Sequence, residues 1–207
     1  MMLRVDLEIL QKWIAPDSRV LDLGCGDGAL LERLRESLNV EGYGLEIDPE
    51  RITACIARGV NVIETDINKG LAHFPDNSFD TVVMTNSLQA LKRPDLTIDE
   101  MLRIGKECVV TFPNFGALRT RLYLAARGRM PVTKQLSYQW YDTPNIHFCT
   151  VRDFEALCRE KTIRILDRAT VASTAIERQL SGIWPNLFAE TAIYHLSKHQ
   201  NNTGDTR

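Results

Sequence analysis

The segment Val20-Leu21-Asp22-Leu23-Gly24-Cys25-Gly26-Asp27-Gly28 constrains this chain more than any other. The apolar run that opens it reads as a buried strand over Arg19–Leu23, and Leu30, Leu31, Leu34 and Leu38 after it recur as one face of a helix. Between the two stand three glycines in five residues. Glycine loses more conformational entropy on folding than any other residue, so a turn serving only packing has no need of three. A glycine loop between a strand and a helix lets the backbone approach a ligand closely and places free N–H groups and a partial positive charge behind it.

The rest of the chain repeats the alternation. Leu3, Leu7, Leu10 and Ile14 mark a leading helix that stops before Pro16-Asp17-Ser18. Gly42–Ile47 predicts a second strand, and Asp48-Pro49 then supplies an N-cap and a proline at the first helical position of a helix burying Ile52, Cys55 and Ile56 and ending at Gly59. Strands follow at Asn61–Ile63, Phe79–Thr85 and Glu107–Phe112, with a loop over Leu71–Ser78 and a helix marked by Ile98, Met101 and Leu102. Such alternation needs right-handed crossovers and a mostly parallel sheet covered on both faces, the doubly wound α/β architecture. After Pro113 the rhythm breaks, with a short helix around Ala117–Ala126 and an irregular stretch to Cys149. A capping-box-like Thr150-Val151-Arg152-Asp153 then opens a helix burying Val151, Phe154, Leu157 and Cys158, and strands at Ile163–Leu166 and Glu190–Leu196 complete the sheet. The organisation predicted is one domain over residues 1–196, with 113–149 as a lid or partner-binding insertion and 197–207 as a disordered tail.

Charge narrows the partners. Twenty-five Lys and Arg against 27 Asp and Glu leave a net charge of −2, with no global field for nucleic acid or an anionic membrane. No charge-free stretch approaches the ~20 residues that span a bilayer, and Asp6 and Glu8 stand where a signal peptide would be apolar, which predicts a cytoplasmic protein. Five cysteines, an odd number without C-x-x-C spacing, argue against a disulfide framework and a structural zinc site, and His195 and His199 do not form a metal pair. No metal is expected.

The acids around the glycine loop choose among nucleotide ligands. Gly24-x-Gly26-x-x-Ala29 fits a loose dinucleotide fingerprint, but Asp22 and Asp27 flank it, and a carboxylate 4 Å from a pyrophosphate charge costs ~4 kcal/mol at an effective dielectric of 20. S-adenosylmethionine has no phosphate. It offers an ammonium to an aspartate, a carboxylate to the helix N-terminus and a sulfonium that tolerates negative charge. Glu46, closing the second strand, suits both ribose hydroxyls, whereas Asp48 is better used as the helix N-cap. Asp66, after the third strand, could accept from the adenine amino group. The predicted cofactor set is Asp22, Gly24, Cys25, Gly26, Glu46, Ile47, Asp66, Ile67 and Thr85, for S-adenosylmethionine or S-adenosylhomocysteine. These strand ends, with VLDLGCGDG, GYGLEID and FDTVVMTNSLQAL in order, resemble the class I S-adenosylmethionine-dependent methyltransferases. That resemblance implies a Rossmann-like sheet of seven strands with the last antiparallel.

Between Cys108 and Tyr141 there is no acid, while Arg119, Arg121, Arg127, Arg129 and Lys134 supply five positive charges. Five charges on flexible loops give modest phosphate affinity, and Thr85-Asn86-Ser87-Leu88 lacks the sequence of base-modifying amino methyltransferases, so no nucleic-acid partner is expected. The segment predicts a surface for an acidic metabolite or a protein, through Arg119, Arg121, Arg129, Tyr138, Trp140 and Tyr141, with Leu118, Leu122 and Tyr123 covering the core. His147 is a weak catalytic candidate, as an imidazole changes charge near neutral pH, and a structural hydrogen bond competes with that role. Cys25 reads as merely small, since no base accompanies it.

Taken together, RVLDLGCGDG, GYGLEID, RGVNV, VTFPNFG, RGRMPVTK and YQWYDTPNIH resemble the methionine biosynthesis protein MetW family over about residues 3–168, and Thr170–Asn186 matches none of its motifs. The resemblance implies a part in making methionine beside a partner homoserine O-acyltransferase (MetX). Two functions are therefore expected to compete: a cofactor-binding protein that supports the acyltransferase, and, as the alternative, a methyltransferase acting on an unidentified small molecule.

Overall fold

Every apolar run expected to be a strand is one. The computed structural model describes residues 4–133 and 137–199. Its strands are β1 (Arg19–Leu23), β2 (Glu41–Glu46), β3 (Asn61–Glu64), β4 (Phe79–Thr85), β5 (Gly105–Pro113), β6 (Arg164–Val171) and β7 (Thr191–Ser197). They form one sheet of order β3-β2-β1-β4-β5-β7-β6. The first five strands pair in parallel, and β7 runs antiparallel to β5 and β6. The helices are α1 (Arg4–Trp13), α2 (Ala29–Leu38), α3 (Pro49–Ala57), α4 (Pro94–Ile104), α5 (Leu118–Arg127), α6 (Val151–Glu160), α7 (Ala175–Ser181) and α8 (Pro185–Phe188).

Successive strand residues point to opposite faces, and the core divides accordingly. Leu21, Leu23, Val82, Met84, Val110, Phe112 and Tyr194 pack with Ile98 and Met101 of α4 and Phe154 and Cys158 of α6. Val20, Val83, Val109 and Ile193 face the other way, onto Leu10 and Ile14 of α1, Leu30, Leu31 and Leu34 of α2 and Cys55 of α3. Each such side chain, fully buried, contributes about 1.5–3 kcal/mol. Asp22, two residues after Val20, shares its face, so it lies on the α2–α3 side.

Local chemistry places the helices. The Asp48 carboxylate accepts from the Glu50 and Arg51 N–H groups at 2.9 and 3.4 Å, Pro49 occupies the first turn, and Gly59 leaves α3 at φ +66°. Thr150 and Asp153 form the full capping box of α6.

Several expectations need correction. Ile56 is exposed, because α3 turns only Cys55 fully inward, and Ile52 is half-buried. β6 runs to Val171 rather than Leu166, since it is an edge strand whose polar residues face solvent while its backbone pairs with β7. Thr170–Asn186, unassigned by motif, holds the end of β6, α7 with its own Thr174–Glu177 capping box, and the start of α8. Leu118 and Leu122 do not cover the core. They are exposed, Tyr123 is half-buried under the Arg127 guanidinium at 5.4 Å, and the buried residue of α5 is Thr120. Ser197 closes β7 instead of opening the tail. Leu3, Lys134 and residues 200–207 of the expected tail lie outside the described residues.

Candidate functional site

The carboxyl ends of β3, β2, β1 and β4 lie side by side, and the strand order reverses at β1: the chain runs outward from β1 through β2 to β3, then returns to add β4 and β5 on the other side of β1. That is the topological switch point where open α/β sheets take ligands. The glycine loop is built there. Gly24 and Cys25 N–H groups donate to the Leu45 carbonyl at 2.9 and 3.0 Å, pinning the loop to the end of β2. Gly24 has φ +77°, and a Cβ on it would stand 2.7 Å from the Ser87 hydroxyl, so the turn after β4 packs directly on the loop. Gly26, at φ +59°, faces open space, with nothing within 4 Å of where a Cβ would be. One glycine serves packing and the other leaves an approach to the backbone. Gly28, the N-cap of α2, has no side chain to cap it, and the Asp27 Oδ1 accepts from the Ala29 N–H at 3.3 Å.

Two carboxylates meet at this loop in different states. Glu46, buried, is clamped by backbone: Gly26 N–H donates to Oε2 at 2.9 Å, and Ile47 and Asp48 N–H groups donate to Oε1 at 2.8 and 3.1 Å. Asp22 is 1% exposed and neither of its oxygens has a hydrogen-bond partner. Burial, and secondarily the charge of Glu46, push its carboxyl up to about 7. Buried carboxylates are ordinarily paired or hydrogen-bonded, so an unpartnered one at a ligand-binding edge points to a cationic or donor group from outside the chain.

Asp27 departs from expectation. Its carboxylate turns away to Arg58 at 3.0 Å, which also holds Glu32 at 2.7 Å. Glu46 also has the Arg51 guanidinium 3.8 Å away, so the acid that would meet a phosphate without any partner of its own is Asp22. Asp66 caps the short 3-10 turn Ile67–Lys69 by accepting from the Asn68 N–H at 3.0 Å, and is half-buried beside Ile67. Thr85 ends β4, half-buried, and Ile47 is exposed just past β2. The structure thus brings Asp22, Gly24, Cys25, Gly26, Glu46, Ile47, Asp66, Ile67 and Thr85 to one sheet edge. Cys25 is buried with its sulfur 3.8 Å from that of Cys55, and burial pushes its thiol well above the ordinary value, so it offers no thiolate nucleophile.

At Ile146 and His147 the segment after β5 is tied to the turn that follows β4. Ile146 and His147 N–H groups donate to the Gln89 carbonyl at 2.8 and 3.0 Å, and the His147 Nε2 lies 3.3 Å from the Lys92 carbonyl. His147 thus has a structural bond. Tyr138, Trp140 and Tyr141 are exposed, with the Trp140 and Tyr141 rings edge-on at 5.7 Å, and Tyr138 and Trp140 line a shallow concavity with Met130 and Pro131. In the basic segment, Arg119 pairs with the sequence-distant Glu177 at 2.8 Å, whereas Arg121 donates to the nearby Gly116 carbonyl at 2.6 Å and keeps its charge. Arg129 is exposed.

Three residues went unnoticed in the sequence. Ser87 roofs Gly24, Gln89 holds the insertion while its own Oε1 is buried without a partner, and Asn114 is a hub. Asn114 Nδ2 donates to the carbonyls of Ala189 and Asn186 at 2.8 and 3.2 Å, and its Oδ1 accepts from Gly116 and Val151 N–H groups at 3.0 and 3.3 Å. Only the FPNFG motif hinted at it. His195 sits against Glu107 at 2.7 Å and stacks on Trp13, and no cluster of metal-ligating side chains occurs among the described residues. No helix among the described residues is long and apolar enough to cross a membrane.

Comparison with known proteins places this geometry. The family described as "Methionine biosynthesis protein MetW" matches residues 4–196. The "Bifunctional methionine biosynthesis protein MetXA/MetW" of Rhodopirellula baltica is 33% identical over 209 residues, covering 97% of this chain and 33% of the relative. The chain therefore spans about a third of that relative's length. Among solved structures, an S-adenosylmethionine-dependent methyltransferase from Mesorhizobium loti aligns with a TM-score of 0.66 at 16% identity, covering 93% of this chain and 95% of that one. A methyltransferase of Thermotoga maritima, described as a possible histamine N-methyltransferase, also aligns at 0.66, with 17% identity over 94% of this chain and 88% of that one. At such identities the likeness shows a shared fold.

Proposed function

The chain belongs to the MetW family of methionine biosynthesis proteins, and on that premise we propose that it binds S-adenosylmethionine or S-adenosylhomocysteine and supports a partner homoserine O-acyltransferase. The observation that carries the cofactor half is Asp22, a buried carboxylate without a partner beside a glycine loop open at Gly26. The ligand's ammonium would supply the missing donor. Glu46 would take a ribose hydroxyl, Asp66 the adenine amino group, and Ile47, Ile67 and Thr85 would line the pocket. Bound there, S-adenosylmethionine supplies an activated methyl group. The protein's contribution is to bind and orient the ligand through carboxylates that a phosphorylated nucleotide would meet as repulsion.

The partner half draws on the relative whose name joins MetXA to MetW and on the exposed Arg129, Tyr138, Trp140 and Tyr141 of the insertion. With Arg119 and Arg121 engaged inside the chain, the aromatic side chains are the stronger anchors, since large aromatics dominate interface energetics. If the ligand reports pathway output, linkage requires that ligand and partner alter each other's affinity by the same factor. The alternative, methyl transfer to a small acceptor, would use His147 at the β4 side of the edge, with proximity as the main catalytic contribution.

Titration calorimetry with each adenosyl ligand, followed by acylation assays of the co-expressed acyltransferase with and without S-adenosylmethionine, tests both halves. Heat with the ligand and a complex whose acylation rate responds to it are expected. Absence of ligand heat removes the cofactor half, absence of a complex removes the partner half, and methyl transfer to a metabolite favours the alternative.

A further inference from the structure

Two helices of this chain are turned inside out. α5 buries Thr120, 6% exposed, while Leu118 and Leu122, one turn apart, stand in solvent. α7 buries Ser181, 2% exposed, while Ile176 is 71% exposed, and Ile183 and Trp184 just past its end are exposed as well. Surface helices ordinarily turn their apolar stripe to the core and their hydroxyls to water. Here the two are exchanged.

The inversion is specified by the chain's own bonds. α7 opens on a complete Thr174–Glu177 capping box, and the inward Ser181 hydroxyl bonds Thr170 Oγ1 and the Arg178 carbonyl, each at 2.9 Å. Arg121 donates to the Gly116 carbonyl and holds the first turn of α5 in phase. The two helices are also joined: Arg119 of α5 pairs with Glu177 of α7 at 2.8 Å and lies 3.9 Å from Glu190, and Asn114 ties the start of the insertion to the α8 carbonyls. Leu118 is thus next to one partner of that ion pair and Ile176 next to the other. Arg119 is met by acids of the chain itself, and the exposed hydrocarbon and indole stand beside the cations of Arg121 and Arg178.

Resting on the reading that the chain docks an acyltransferase, we propose that the Leu118–Leu122 face of α5 together with Ile176, Ile183 and Trp184 of the α7–α8 segment forms its seat. The partner fitted is the acyltransferase, through an apolar face with few cations of its own. A surface of this kind suits lasting association, because long-lived interfaces are the more hydrophobic ones and their centres favour tryptophan over charge. It also lies at the carboxyl edge of the sheet, beyond β5 and β6, on the edge whose β1–β2 end holds Asp22 and Glu46. Ligand and partner would then meet opposite ends of one sheet edge.

The test is complex formation between the full chain and its co-expressed homoserine O-acyltransferase, by size-exclusion chromatography and titration calorimetry. Trp184→Ala and the double variant Ile176→Ser/Ile183→Ser are compared with Ile56→Ser, an exposed isoleucine on α3. Each patch variant is expected to weaken the complex at least about 30-fold, as interface anchors do, and Ile56→Ser to leave it unchanged. If Trp184→Ala lowers the thermal midpoint, the double variant, whose side chains contact solvent, decides. Unchanged affinity in the double variant overturns the proposal and leaves the docking reading standing. Failure of the unsubstituted chain to form any complex overturns both. Self-association of the chain alone that is lost in the same variants assigns the patch to a second copy and overturns the proposal.

Discussion

Gly26 donates its backbone N–H to Glu46 Oε2 at 2.9 Å, so the carboxylate expected to hold a ribose already holds the glycine loop. With Ile47 and Asp48 N–H groups on the other oxygen, three of about four acceptor positions on the carboxylate are filled from within the chain. One ribose hydroxyl can be accepted without disturbing the loop. Accepting both, as the sequence led us to expect, requires the Gly26 N–H to yield. On the proposed reading, ligand binding and loop conformation would be coupled through this one side chain.

Glu46→Ala should therefore act twice. Loss of the hydrogen bond to the ribose weakens adenosyl ligand binding by about 1.5–3 kcal/mol, roughly 10- to 150-fold. Release of the backbone donors should also lower the thermal midpoint of the ligand-free protein. Glu46→Gln keeps the shape and one acceptor oxygen and should fall between. Calorimetric affinities equal to the unsubstituted chain's in both variants would exclude Glu46 from the site.

If Asp22 receives the ligand's ammonium as proposed, it should make ligand affinity and stability depend on pH in opposite directions. Its folded value, about 7, lies above the unfolded value of 3.8, so the folded chain keeps a proton that the unfolded chain gives up. The stability linked to that proton is complete below pH ~4 and is lost as pH rises through 7. Asp22→Asn removes the cost of a buried charge, and the ligand-free variant should be more stable than the original at pH 8, by no more than about 4 kcal/mol. It should bind the adenosyl ligand more weakly. In the unsubstituted chain an ammonium favours ionised Asp22, so affinity should climb from pH 6 to pH 8, with proton release visible as heats that differ between phosphate and Tris buffers. Affinity flat across that range would remove Asp22 from contact with the ligand.

Gly24 and Gly26 should fail in different ways. Gly26→Ala meets no atom but must hold φ +59°, a strain of about 1–2 kcal/mol, and its methyl stands on the side a ligand would approach. The variant should fold and bind weakly. Gly24→Ala adds a contact with the Ser87 hydroxyl and should be the less stable of the two. Circular dichroism melts beside calorimetry separate these outcomes. Equal loss of stability in both would contradict the open approach at Gly26.

Asn114→Ala strips the Ala189 and Asn186 carbonyls and the Gly116 and Val151 N–H groups of their common partner. Buried groups left without a partner cost about 1–3 kcal/mol, which for a chain of this size lowers the thermal midpoint by several degrees. Hydrogen exchange should quicken first in α8 and the start of α5. A midpoint unchanged within a degree would show that water replaces the side chain.

The alternation of apolar runs with helical spacings determined the α/β architecture, because a strand's period of two and a helix's of 3.6 are local properties legible in a short window. Capping chemistry was equally local: Asp48-Pro49 and Thr150 through Asp153 start helices as their side chains dictate. The glycine loop and the acids at strand ends marked the ligand edge, since topology carries the ends of parallel strands to one place. What only the tertiary structure decided depends on partners distant in sequence. It turned Asp27 to Arg58, gave Arg119 to Glu177 and left Asp22 without a donor. It also set the phase of α5 and α7, burying Thr120 and Ser181 and exposing Leu122 and Ile176. A helix's rotation about its axis is chosen by the bonds at its ends and the surface beneath it, and periodicity alone cannot register that choice when the apolar face turns outward.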